Sequence, residues 1–138
     1  MSVRIDIAYE GDLRCAATHG PSGDRLLTDA PTDNEGQGRH FSPTDLVATS
    51  LGTCILTIMG IAARKRGFSL EGATVSVVKH MASEPRRHIG RVELDFVLPA
   101  ALTERQRILL EAVAETCPVA ASLGPQTSLD MRFEYRPT

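Results

Sequence analysis

Three cysteines, at positions 15, 54 and 117, are the residues of this 138-residue chain best suited to covalent chemistry. A thiol performs such chemistry as its thiolate, so each must be judged by what could ionise it and what it could meet. Cys54 and Cys117 stand 63 positions apart, which forbids a local Cys-x-x-Cys motif but not contact in the fold. An odd count, so widely spaced, is not the disulfide framework of a small secreted domain. Two readings stand open. Free cysteine is among the most buried residue types and on a packed helix is commonly a small hydrophobe. Against that, Cys54 lies amid small residues in an uncharged stretch, and Cys117 directly precedes Pro118 where one helix should give way to another. Cys15, between Arg14 and Ala16, reads as a buried small residue or an incidental thiol.

Other chemistries find little support. Four histidines and three cysteines offer no close ligand pair, so no structural zinc site is expected. Gly36-Gln37-Gly38 lacks the Lys-Ser/Thr of a phosphate loop and the strand-to-helix setting of a dinucleotide fingerprint. His19 and His40 read as solvent-facing loop residues. Fifteen basic against seventeen acidic residues leave a net charge of −2, with no global field for nucleic acid or anionic lipid. The N-terminus carries Arg4 and Asp6 and no apolar run, so no secretory signal is expected and the cytoplasm is the default location.

The elements that must position the cysteines follow from periodicity. Residues 3–9 alternate as a strand; 13–19 and 25–28 continue a meander through turns at Glu10-Gly11-Asp12 and around Gly20-Pro21. Residues 29–40 form a surface loop. Ser42-Pro43-Thr44-Asp45 opens a helix expected to run to about Arg66 and stop at Gly67. Its residues 46–63 carry no charge, the lower limit for a membrane span, but its Thr, Ser and Gly content reads better as a helix buried nearly all round in a soluble domain or dimer. A hairpin over 70–81 and 89–98 has basic residues gathered near its tip, read as a solvated turn. A second helix starts at Thr103 and runs to about Thr116, a short turn follows Pro118, and 128–135 forms a last strand. One α+β domain spanning 1–138 is the expectation.

Ser42-Pro43-Thr44-Asp45-Leu46, Ser50-Leu51-Gly52-Thr53-Cys54 and Cys117-Pro118-Val119-Ala120-Ala121-Ser122-Leu123 resemble the OsmC/Ohr family of osmotically inducible and organic hydroperoxide resistance proteins. Tyr9-Glu10-Gly11-Asp12-Leu13 and Ser128-Leu129-Asp130 extend the similarity over essentially the whole chain. The resemblance implies antiparallel sheets packed around a long buried central helix in an intertwined homodimer. It also implies a thiol peroxidase in which Cys54 attacks a peroxide oxygen, becomes a sulfenic acid, and is resolved by Cys117 as an intramolecular disulfide. The substrates implied are organic hydroperoxides, fatty ones among them, and the reductant a dithiol, lipoyl groups in some members. No metal or organic cofactor is implied.

Cys54, eleven positions beyond Pro43, is too far along its helix for the helix dipole to lower its pKa, so a cation must come from elsewhere. The resemblance implies an arginine from the N-terminal sheet held by a glutamate. Arg14 is the first candidate, with Arg25 and Arg39 behind it. The glutamate's place, ten residues before the cysteine, is Thr44, which leaves neighbouring Asp45 as the candidate arginine partner. That departure favours the rival expectation, a non-peroxidatic protein binding a small ligand in an apolar pocket beside Cys54. A general thiol-disulfide oxidoreductase is a third.

Overall fold

Alternation of side chains in the first 29 residues produces a three-stranded antiparallel meander in the computed structural model, which describes residues 1–137. The strands are β1 (Ile5–Gly11), β2 (Arg14–His19) and β3 (Arg25–Asp29), in the order β1-β2-β3. The first turn sits one residue later than expected: Asp12 and Leu13 occupy its tip at φ 52° and 65°, a left-handed pair between the partnered residues Gly11 and Arg14. Such a turn matches the twist of the flanking strands at some local cost, since neither residue is glycine. The sheet has little core of its own. Of its strand residues only Ala16 and Asp29 are buried, while Ile5, Ile7 and Tyr9 on one face of β1 are 56%, 68% and 68% exposed.

The loop after β3 is tied back onto it. Thr28 bridges Phe41, the Asp29 N–H donates to the Phe41 carbonyl at 3.1 Å, and the Gly38 N–H donates to the Ala30 carbonyl at 3.1 Å. Gly36 is obligatory there, because any Cβ would collide with the Ala30 carbonyl.

Helix α1 (Pro43–Lys65) starts where its cap residues require. The Asp45 N–H donates to Ser42 Oγ at 3.1 Å, and the Ser42 N–H donates to Asp45 Oδ2 at 2.9 Å, a reciprocal box. It ends at Gly67, whose φ of 77° lets the Phe68 and Gly67 N–H groups reach back to the Ala63 and Arg64 carbonyls. The chain divides into two compact units, one of residues Met1–Val47 and one from Ala48 onward, so α1 begins in the first and runs through the second.

In the second unit, β4 (Thr74–Ala82) and β5 (His88–Pro99) form the expected hairpin, although β4 begins four residues late because Leu70 is held in a turn by the Ala73 N–H. Next come α2 (Glu104–Ala114), capped by a Thr103–Gln106 box, then α3 (Pro118–Ala121) and β6 (Ser128–Arg136). β6 pairs parallel to β5, so this sheet, ordered β4-β5-β6, is mixed where an antiparallel one was expected. The α2–α3 connection is the crossover that a parallel neighbour requires.

The core of this unit joins Leu51, Ile55 and Met59 of α1 to Val92, Leu94, Phe96 and Leu98 of β5 and Leu110 of α2, none more than 1% exposed. α1 is long and apolar enough to cross a membrane by length and composition, but this face of it is core. Gly52 lets it approach β4, since a Cβ there would stand 2.9 Å from a Val77 methyl. Within one chain the helix is buried on one side: Thr53 and Thr57 are exposed and Ile61 is 49% exposed, because one chain supplies a sheet to only one side. The basic hairpin also differs from a plain solvated turn. His80 Nε2 lies 2.7 Å from Glu93 Oε2, and Arg91 and Arg132 meet the same carboxylate at 2.9 and 3.4 Å, so its base is a cross-strand charge lattice.

Candidate active site

Cys54 sits in the middle of α1, on the turn between Leu51 and Ile55, and is half-buried. Cys117 follows α2 and is the N-cap of α3, where Pro118 takes the first helical position. Its sulfur accepts the Ala120 N–H at 3.4 Å, and the side chain is 1% exposed. Folding brings these two residues together: the Cys54 thiol is hydrogen-bonded to Cys117, and the Val119 N–H donates to the Cys54 sulfur. Both are free thiols.

The electrostatics of the pair bear on which proton state it holds. Burial pushes the Cys54 thiol up, the hydrogen bond and the charge of Cys117 push it the same way, and only the Val119 N–H opposes them. Cys54 is therefore not a ready-made thiolate within its own unit. A reaction that needs the thiolate runs faster as pH rises through this titration, unless a cation or base brings it down.

The two cysteines also differ in access. Cys54 is half-buried, whereas Cys117 is closed over by the surrounding chain. A cleft of about 740 Å³ runs along β6, with Ile55, Ala120, Leu129 and Met131 in its wall and Glu111 and Arg132 beside them. Ile55 directly follows Cys54 and Ala120 lies three positions beyond Cys117, but neither cysteine lines the cleft.

The remaining candidates lie in the first unit. Arg14 opens β2 directly opposite Asp29 at the end of β3, and its Nε stands 3.6 Å from Asp29 Oδ2. Asp29 is 1% exposed, and the same Oδ2 accepts the Arg39 N–H at 3.1 Å. The Arg39 N–H, the Arg14 charge and the Ala30 N–H hold the Asp29 carboxyl below its ordinary value against the opposing effect of burial. Arg39 thus contributes its backbone to this cluster, and Arg25 is exposed at the start of β3. Asp45 closes the α1 cap, and Thr44 Oγ1 lies 3.2 Å from Ser42 Oγ. His19 and His40 are exposed, His19 with its Nδ1 2.6 Å from Ser22 Oγ, and Cys15 lies on β2 between Tyr9 and Thr28.

Asp29 was not singled out from sequence. The signal was available in the β2–β3 hairpin, whose turn sets a register that puts an acid opposite Arg14, but it is visible only once both strand ends are known.

Comparison with known proteins places this geometry. A family model described as OsmC-like protein matches residues 36–132. A crystal structure of a Psychrobacter arcticus 273-4 protein, provisionally named for osmotic stress induction and detoxification response, is 40% identical, with a TM-score of 0.89 over 94% of each chain. An organic hydroperoxide resistance protein OsmC from Legionella pneumophila shares the fold at 16% identity, with a TM-score of 0.76 over 97% of each chain. An organic hydroperoxide resistance protein from Elizabethkingia anophelis does so at 13% identity, with a TM-score of 0.78 over 99% of this chain and 97% of that one. A search among curated proteins returned no match.

Proposed function

Because the chain belongs to the OsmC-like family, we propose that it is a cysteine-based peroxidase that reduces organic hydroperoxides to alcohols and serves in oxidative stress defence. The observation that carries this is the interaction of half-buried Cys54 with buried Cys117, two thiols from distant parts of the chain brought together by the fold. The Cys54 thiolate attacks the distal oxygen of the hydroperoxide and breaks the O–O bond. The leaving alkoxide takes a proton and departs as the alcohol, and Cys54 is left as the sulfenic acid. The Cys117 sulfur then displaces hydroxide from the Cys54 sulfur, releasing water and forming the disulfide. An external dithiol, such as a lipoyl group, reduces that disulfide in two exchange steps. Arg14 is the cation proposed to favour the Cys54 thiolate. A cytoplasmic setting, where thiols are kept reduced, suits the recycling step.

Steady-state assays with a dithiol reductant test this activity. An aryl-alkyl or fatty acid hydroperoxide is expected to be turned over, and its product to be the corresponding alcohol. If neither is consumed above the rate of the dithiol alone, the ligand-binding alternative replaces the peroxidase.

A homodimer belongs to the same proposal. It is supported by the uncharged exposed face of α1, with Thr53, Thr57 and Ile61, and by the exposed Ile5-Ile7-Tyr9 face of β1, since apolar surface of this kind is costly to leave in water. The wild type is expected to sediment as a dimer and Ile7→Lys to shift it toward monomer at micromolar concentration. An unshifted Ile7→Lys dimer would remove that face from the interface.

A further inference from the structure

Two arginines share a cavity of about 490 Å³ between the end of α1 and the first turns of α2. Arg66 and Arg105 stand in its wall with Thr103 and Gln106, and Phe68 and Leu109 supply its apolar part. Among the described residues no carboxylate lines it, and Glu104 is exposed outside its wall. The cleft along β6 is different in charge: there Arg91 and Arg132 lie beside Glu93 and Asp130 and are paired with them. Arg107 of α2 is also engaged, donating to the Leu102 and Ala100 carbonyls at 3.0 and 2.7 Å. The side chains of Arg66 and Arg105 are exposed and have no such partner among the described residues. The α2 capping box sets the polarity of the remaining wall. The Thr103 N–H donates to Gln106 Oε1 at 2.9 Å, and the Gln106 N–H donates to Thr103 Oγ1 at 3.2 Å. Both side-chain oxygens are thereby engaged, which leaves the Gln106 amide NH₂ and the Thr103 hydroxyl hydrogen as donors.

We propose that this cavity binds a phosphate monoester of an aromatic alcohol: Arg66 and Arg105 take the phosphate between them, and the ring lies against Phe68 and Leu109. Two guanidinium forks and two further donors, unmatched by any acid, suit an oxyanion. A phosphate monoester carries close to two negative charges at neutral pH and three acceptor oxygens, so it matches two arginines better than a singly charged carboxylate does. The apolar residues beside the donors favour a ligand with a body over a bare ion, and the volume is that of a small-molecule site. None of the lining residues belongs to the Cys54–Cys117 pair, so the site stands independently of the peroxidase reading.

Phenyl phosphate carries both parts of such a ligand and serves as the probe, titrated calorimetrically into the full chain. Inorganic phosphate and phenol, with one part each, are titrated beside it. Phenyl phosphate is expected to bind with a Kd of about a millimolar or tighter, at least about tenfold tighter than either fragment. Its affinity should fall as salt is raised, because the attraction is between exposed charges. Arg66→Ala and Arg105→Ala, both at exposed positions, are each expected to weaken binding about tenfold. Phe68→Leu should weaken phenyl phosphate and leave inorganic phosphate unchanged. Because Phe68 also packs against the core, the two arginine variants decide the matter if that variant does not fold. Absence of saturable binding up to about ten millimolar overturns the proposal. So does an affinity that neither arginine substitution moves, or phenol or inorganic phosphate binding as tightly as phenyl phosphate.

Discussion

Replacing Cys54 by serine is expected to lower hydroperoxide turnover by at least about a thousandfold, to the background set by the dithiol reductant. A hydroxyl in the same place is not ionised near neutral pH and is a poor nucleophile toward a peroxide oxygen. Neighbouring groups have no route to replace it, since Cys117 is 1% exposed and already caps α3 through its sulfur. Cys117→Ser separates the two steps. It leaves the half-buried Cys54 in place, so the first equivalent of hydroperoxide should still be reduced. The sulfenic acid then has no adjacent thiol, and it should persist long enough to be trapped by a dimedone-type reagent. The wild type should give no such adduct when peroxide is limiting. Equal turnover in Cys54→Ser and wild type, measured by loss of hydroperoxide, would remove Cys54 from the chemistry.

Phe96→Ala should have the largest effect on stability. The ring is 1% exposed on central strand β5 and stacks on its parallel-register partner Phe133, with centroids 5.0 Å apart and planes 12° from parallel. It shares one core cluster with Leu51 and Ile55, the α1 residues on either side of Cys54. Removing a buried aromatic ring costs about 3–5 kcal/mol, the lost burial plus the cavity left behind. For a chain of this length that corresponds to a fall of roughly 10–17 °C in Tm. Thermal unfolding followed by circular dichroism measures it. A drop of only a degree or two would mean that the β5 face against α1 is not the packed core described.

The same core explains why so much of the fold was legible beforehand. Strands alternate and helices repeat because each must bury one face, and capping residues such as Ser42, Thr103 and Pro118 mark starts by local chemistry alone. Cys117 at the head of α3 was readable for that reason. Pairing partners are not local, and they were the features missed. Nothing in residues 128–136 says that they will lie parallel to β5, since that follows from where α2 and α3 deliver the chain. The α1 periodicity shows which positions avoid water but not whose surface covers them, so exposed Ile61 looks in sequence like buried Ile55. Asp29 was hidden in the same way, being an acid beside a loop until the β2–β3 register set it against Arg14. For Cys54 the sequence showed the need for an activating group. The structure adds the reason: burial and the neighbouring thiol both hold its proton in place.

On the proposed mechanism, Cys54 and Cys117 exchange their protons for a bond when an organic hydroperoxide arrives. One equivalent of such a hydroperoxide, added to the reduced wild-type chain and followed by alkylation and peptide mass mapping, tests it directly. Loss of two of the three thiols is expected, with a single disulfide joining Cys54 to Cys117 and Cys15 still alkylated. Three alkylated thiols after that addition, or a disulfide that includes Cys15, would contradict it.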